Sequence, residues 1–334
     1  MVIPVFIPHK GCPFDCIYCN QKAISGQTEE MTVEKMYDTI DSHLSTAQSD
    51  SYIEIGFYGG SFTGIEDTKQ IMFLEAANEY VVQGRIKGIR LSTRPDYINS
   101  EILNRLKKYN VKMVELGVQS LDEDVLKTSG RGHSPDDVYK ACSLIKESTI
   151  GLGIQTMIGL PGSNYEKDMD TARKVIELSP QIVRIYPTLV VRNTYLEKMY
   201  NEGRYTPLEL EEAVSLCAKL LELYNENGIK VIRIGLQPTD NINNDFDVAG
   251  GPFHPSFRQL VESRLWLNRI ENYIKEYSLF EEHDIIIYTD KKYICDIIGQ
   301  RRGNIEYLKG KYQFKRISIK SIENLKDEFF IRGL

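Results

Sequence analysis

No apolar run in the sequence approaches the roughly 20 residues that a membrane-spanning helix needs. The opening stretch, MVIPVFIPHKG, lacks a basic region followed by a long apolar segment and a cleavage site. No signal peptide is therefore expected, and a cytoplasmic location and no membrane partner follow from that. Short-period repeats and low-complexity stretches are missing. Cysteine is scarce, with six in the chain, and no pair at CxxC or HxxxH spacing complements the first cluster. A structural zinc site normally needs four ligands, usually from a second Cys or His pair at a distance, and no such pair is present, so zinc is disfavoured. In a reducing compartment a disulfide framework is not expected either, which leaves metal or catalytic use for clustered thiols.

The chain has 334 residues, enough for one large domain or one large and one small. The net charge is −6 and unevenly spread. From Lys291 to Leu334 there are 11 Lys and Arg against 5 Asp and Glu, so the preceding residues carry −12. An acidic body with a basic tail suggests a division of labour.

Short β-branched and apolar runs alternate with amphipathic helical patterns. Strands are predicted at 2–8, 52–58, 87–92, 112–118, 152–159, 181–187 and 230–235. One predicted helix is SPDDVYKACSLIKES, with Ser134 as N-cap, Pro135 in the first turn and Val138, Ala141, Cys142 and Ile145 on one stripe. Another runs over 206–228 and ends at Asn227-Gly228. Repeated strand–helix alternation predicts α/β architecture with a parallel sheet. Residues 237–280 read as a turn-rich connection and helix over the barrel, where His254 and Arg258 are candidates for substrate contact. Residues 281–334 read as a small basic α+β unit. Cys142, Cys217 and Cys295 stand alone and are expected to be small buried hydrophobes.

Three of the cysteines are not alone. GCPFDCIYCNQ places Cys12, Cys16 and Cys19 at C-x3-C-x2-C. A four-iron cluster suits clustered thiolates, and three ligands leave one iron open to bind something else. This spacing, with Tyr18 before the last cysteine, resembles the radical S-adenosylmethionine (SAM) signature. The resemblance implies a partial TIM-type (β/α)6 barrel, and the 230–235 strand is expected to begin the C-terminal extension. It implies a 4Fe–4S cluster on Cys12, Cys16 and Cys19, with SAM on the open iron. Reductive cleavage of SAM would then give a 5′-deoxyadenosyl radical that abstracts hydrogen from a substrate. It also implies an electron donor of reductase, ferredoxin or flavodoxin type.

Further motifs fall in register after successive predicted strands: GGSF, STRPD, GVQS, GLPGS and RIYPTLVVRNTYLEKMYNEGRY. Together they resemble the radical SAM core of the catalytic subunit of Elongator over about residues 1–236, and part of the pattern is shared with oxygen-independent coproporphyrinogen III oxidases. By that resemblance Gly59, Gly60 and Ser61 meet the SAM amino group, Gln119 and Arg131 its carboxylate and ribose, and Gly159, Leu160 and Pro161 its adenosine. Tyr18 matches the position whose backbone meets adenine. Ser92 stands where those relatives carry Glu, and the spacing before Cys16 is the commoner superfamily one. An acetyltransferase domain like Elongator's is not expected after residue 334.

In the tail, ICDIIGQRRGNIEYLKGKYQFKRISIK resembles a degenerate KH domain, with Arg302 where a second loop glycine is expected. The basic tail and this motif make an RNA substrate, bound through the C-terminal segment, one reading of function. Action on a small metabolite or cofactor precursor is the alternative. A SAM-binding iron–sulfur protein in electron transfer or regulation is a third class. No catalytic acid or base is legible.

Overall fold

A computed structural model of the protein describes residues 1–7, 16–20, 30–48, 51–236, 247–323, 325 and 328–334. Seven strands pair in parallel: β1 (Val2–Phe6), β2 (Glu54–Tyr58), β3 (Gly88–Thr93), β4 (Val111–Gln119), β5 (Gly151–Ile158), β6 (Ile182–Pro187) and β8 (Lys230–Ile234). Their order across the sheet is their order along the chain, so successive crossovers step the same way and the sheet curls into a half-barrel. Between β6 and β8, β7 (Val190–Val191) instead pairs antiparallel with β9 (Val248–Gly250). The strand at 230–235, expected to begin the C-terminal extension, joins the main sheet as its seventh member. Val231 and Ile234 are buried there, and the backbone pairs with β6.

Alternation along each strand sorts side chains to two faces. Ile55, Phe57, Ile89, Leu91, Val114, Leu116, Ile154, Val183 and Ile185 are buried, apolar and on one face. The opposite, concave face carries Glu54, Tyr58, Arg90, Ser92, Glu115, Gln155 and Arg184 in matched register.

Helix boundaries follow from local chemistry. At Pro135–Glu147, Ser134 and Asp137 form a capping box, Pro135 sits in the first turn, and Val138, Ala141, Cys142 and Ile145 are buried. Burial pushes the Cys142 thiol up to about 12, as suits a core side chain. Cys217 is likewise buried on the helix Leu210–Glu226. Cys295 departs from expectation: it is exposed, because the short helix Ile294–Ile298 turns Ile297 inward and Cys295 outward.

By internal contacts the chain forms two units, Met1–Leu210 with Tyr224–Phe253 and Glu211–Leu223 with His254–Leu334. The second unit has its own sheet, β11 (Arg316–Ser321), β10 (Asp284–Thr289) and β12 (Phe329–Gly333), in that order. β10 and β11 are parallel and joined through the helices Ile294–Ile298 and Gly303–Tyr312. The helix Phe257–Glu276 supplies Trp266, Leu267, Ile270 and Ile274 to the core of this unit, against Ile285, Ile287, Ile305, Leu308 and Ile317. His254 closes the start of that helix, its Nδ1 accepting from Ser256 N–H at 3.1 Å, and Arg258 pairs with Glu262 at 2.8 Å. Between the two short helices, Gly299 (φ +74°) is needed because a Cβ there would lie 2.9 Å from Asn304 Cγ. The Asn304 amide donates to the Ser263, Asp296 and Ile297 carbonyls and locks the turn.

Candidate active site

Each barrel strand ends in a loop on the same rim, the working face of such folds. The loop after β1 carries the cysteines. Cys12 lies outside the described residues. Cys16 is buried, and a tight turn in which Cys19 N–H donates to the Cys16 carbonyl at 2.9 Å brings Cys19 back toward it. Three ties fix this turn: the backbone bonds from Ile17 N–H to the Ser129 carbonyl and from Leu196 N–H to the Ile17 carbonyl, and the Asn20 side-chain amide donating to the Arg192 carbonyl. Ile17 and Tyr18 pack on Val190, Leu196 and Tyr205. Burial pushes the Tyr18 phenol up, the Arg131 guanidinium pulls it down, and the Cys16 and Cys19 thiols raise it further.

Arg131 links this turn to the end of β4. Its Nη1 lies 3.5 Å from Cys16 Sγ and its Nη2 donates to the Gly117 carbonyl. Gly117 is required by this approach: a Cβ there would lie 2.8 Å from Arg131 Nη2 and 3.1 Å from Gln119 Nε2. Two residues on, after a bulge, Gln119 adopts φ +69°, a left-handed conformation that non-glycine residues seldom take. Its buried Oε1 has no hydrogen-bond partner among the described residues. A buried amide oxygen without a donor is costly unless something else supplies one.

The other motif loops frame the same rim. After β2, Gly59 (φ +94°), Gly60 and the buried Ser61 lead into a short 3-10 turn. Ser92, near the end of β3, lies 3.5 Å from the Phe57 carbonyl, and the adjoining Arg94 is buried in a two-point pair with Asp96. After β5, Gly159 (φ +69°) begins a turn held from three sides. Asp168 Oδ2 accepts from Gly159 N–H at 3.0 Å, Ser163 Oγ donates to Asp168 Oδ1, and Tyr205 Oη donates to the Gly159 carbonyl at 2.7 Å. Leu160 and Pro161 are buried in this turn. Burial pushes the Asp168 carboxyl up to about 6, against the pull of its two donors. His133 is buried, and with the Arg131 and Arg94 cations nearby its pKa is held down to about 3, so it is neutral at ordinary pH.

The sequence reading missed the concave face beneath this rim. Glu115 accepts from Arg184 Nε at 2.6 Å and Nη2 at 3.0 Å, from Gln155 Nε2 at 3.1 Å, from Tyr58 Oη at 3.2 Å and from Arg90 Nη1 at 3.4 Å. Arg90 also pairs with Glu54, and Arg184 Nη2 reaches Tyr58 Oη at 3.0 Å. Five strands thus contribute to one buried, charge-compensated network. The signal was present as lone charged residues inside apolar runs, in IRLST, VELGV and VRIYP.

The buried Arg131 cation beside a cysteine thiol, the Gln119 oxygen without a donor among the described residues and the positive-φ glycine turns fit SAM and an iron–sulfur cluster. A guanidinium in this position can offset the negative charge of a ligating thiolate and pair with a carboxylate, and an amide oxygen such as Gln119 Oε1 can accept from a hydroxyl or an ammonium group.

Comparison with known proteins agrees. Residues 6–175 match the radical SAM superfamily and residues 180–266 the radical SAM C-terminal domain. A tRNA uridine(34) acetyltransferase of Dehalococcoides mccartyi is 33% identical over 258 residues, which is 66% of this chain and 56% of that protein. Another tRNA uridine(34) acetyltransferase, from Methanocaldococcus infernus, is 29% identical over 253 residues, 65% of this chain and 47% of that protein. The chain therefore spans about half the length of these relatives, over their radical SAM portion. The solved structure of the archaeal Elp3 of Methanocaldococcus infernus shares the fold, with a TM-score of 0.62 and 24% identity over 83% of this chain and 63% of that one. The chain belongs to the radical SAM superfamily, and it is a radical SAM enzyme whose cofactors are a 4Fe–4S cluster and SAM.

Proposed function

We propose that this enzyme acts on a nucleotide in RNA, with tRNA as the leading substrate class. When bound, the cluster and SAM supply reductive cleavage of SAM to a 5′-deoxyadenosyl radical that abstracts hydrogen from the substrate. Cys12, Cys16 and Cys19 hold the cluster. Tyr18, Gly59, Gly60, Ser61, Ser92, Gln119, Arg131, Gly159, Leu160 and Pro161 hold SAM. Arg131 orients the carboxylate and offsets thiolate charge. Gln119 is held by its left-handed backbone to meet a polar group of SAM, and Asp168 and Tyr205 fix the turn that borders the adenosine. An electron donor of reductase, ferredoxin or flavodoxin type reduces the cluster, in a cytoplasmic setting where thiols stay reduced.

The observation that carries the SAM assignment is the Arg131 contact with both Cys16 Sγ and the Gly117 carbonyl. Three observations support RNA. Two relatives bear the name tRNA uridine(34) acetyltransferase, the tail from Lys291 is basic, and the small unit has the strand–helix–helix–strand order of a KH-like module. The acetyl transfer in those names is not carried over. A second reading, a small polar metabolite, draws on the Glu115–Arg184–Arg90 network lining the concave face.

The test is to reconstitute the enzyme anaerobically and compare SAM turnover with total tRNA and with a tRNA-free extract of low-molecular-weight metabolites. Stimulation of 5′-deoxyadenosine formation by tRNA, with deuterium passing from labelled tRNA into the product, is expected. Stimulation by the metabolite fraction alone would transfer the assignment to the second reading.

A further inference from the structure

The three-stranded sheet of the small unit has two chemically different faces. Ile285, Ile287, Thr289, Ile317 and Ile331 are buried, the isoleucines within its hydrophobic core. On the opposite face the register aligns Lys320, Tyr288 and Phe330 in one row and Ser318, Ile286 and Arg332 in the next. The Tyr288 and Phe330 rings stack with centroids 4.6 Å apart and planes 16° from parallel. The Arg332 guanidinium lies 5.4 Å from the Phe330 centroid and 5.8 Å from that of Tyr288. Arg316, Lys320 and Arg332 are exposed and both rings are half-buried. Asp284 is set across from Arg316 at the end of the strand pair. Glu328 is drawn to Arg269 at 2.5 Å and Tyr293 at 3.3 Å, away from the cations of this face.

We infer that this face is a stacking platform for unpaired bases of single-stranded RNA, an inference that rests on the RNA reading above and names its docking surface. Flat π faces of bases match a half-buried aromatic pair, and the exposed Lys320 in the same row and Arg332 in the next match the phosphates between those bases. A second copy of the chain is a poor occupant, since a two-fold pairing of this face sets the same cations against each other. The surface differs from the Gly299–Gly303 turn: it is built on strands, and its recognition element is aromatic.

The experiment is fluorescence anisotropy of the full-length, cluster-reconstituted protein with a fluorescein-labelled single-stranded RNA of about 12 nucleotides, and with the same RNA annealed to its complement. The double variant Tyr288→Leu/Phe330→Leu keeps apolar cover on the sheet and removes the π faces. It is expected to bind the single strand about tenfold or more weakly, with duplex binding and RNA-independent 5′-deoxyadenosine formation unchanged. Arg332→Gln, which leaves both rings in place, is expected to weaken single-strand binding by about two- to fivefold. Wild-type affinity in both variants would remove the platform and leave the RNA reading standing. No RNA binding by the wild-type protein would overturn both. Equal losses for single strand and duplex would assign the face to phosphate charge alone, and a dimer that dissociates in the variants would assign it to a second copy; either overturns the inference.

Discussion

At the residue scale the site turns on Arg131 and the atoms around it. A buried guanidinium bound to a carbonyl and a thiol is directional, and in the proposed site its hydrogen bonds to a SAM carboxylate would be charge-assisted. Arg131→Gln is expected to weaken SAM binding to the reconstituted protein by roughly 10- to 100-fold, read by calorimetry, with Arg131→Lys intermediate. Unchanged affinity would remove Arg131 from the SAM site. Gly117→Ala separates function from stability. Its new Cβ meets the far end of the Arg131 side chain, which can shift at little cost to the fold. Thermal unfolding is expected to change by less than about 1 kcal/mol, while SAM affinity falls because the guanidinium has been displaced.

Asp168 gives a pH prediction. Its carboxyl is pushed up to about 6 by burial, from 3.8. A raised carboxyl favours the fold below its unfolded pKa, and that contribution is lost as pH rises through about 6. Asp168→Asn removes the titration and keeps an oxygen to accept from Gly159. Relative to wild type, the variant is expected to gain up to about 3 kcal/mol in urea unfolding between pH 4 and pH 7.5. A pH-independent difference would show that Asp168 does not titrate in this window.

At the element scale the strands were legible because their signals are local. Alternation in IEIGFY and KMVELGV, the Ser134–Pro135 start and the Val138–Ile145 stripe each lie within a few residues. The inner network was not legible, because its partners are far apart in the chain: Arg184 and Tyr58 are separated by 126 residues, and Arg184 and Glu115 by 69. A single arginine in an apolar run looks the same whether it ends in water or on a buried glutamate. The structure distinguishes them, and the energetic consequence is large. Glu115→Ala leaves Arg184 and Arg90 without their shared carboxylate and is expected to cost about 3–5 kcal/mol in urea unfolding. A loss below about 1 kcal/mol would mean that the network is solvated in the working protein.

At the scale of the whole molecule, the cysteine spacing and the run of glycine-bearing loops were enough to expect the barrel and its cofactors. The cofactors followed from the resemblance that the cysteine spacing carries, and the loops supported it because parallel strands bring every such loop to one rim. Contacts across that rim were beyond the sequence: nothing in GRGH says that Arg131 comes back to Cys16, which is 115 residues earlier. Cys295 was misread because its position on a short helix depends on which side Ile297 packs. The seventh strand was recognised as a strand but its place was not, since only the pairing of Val231 and Ile234 with β6 sets it in the main sheet.

In the proposed site the Cys12–Cys19 loop and Arg131 together support reductive cleavage of SAM. The most direct measurement is the yield of 5′-deoxyadenosine from the anaerobically reconstituted protein given dithionite and SAM, for wild type and for Cys12→Ala, Cys16→Ala and Cys19→Ala. Formation by the wild type with a four-iron spectrum, and none by any single-cysteine variant, is the expected result. Cleavage retained in any one of the three variants, or none from a wild-type protein whose cluster is filled and whose SAM is bound, would contradict the account.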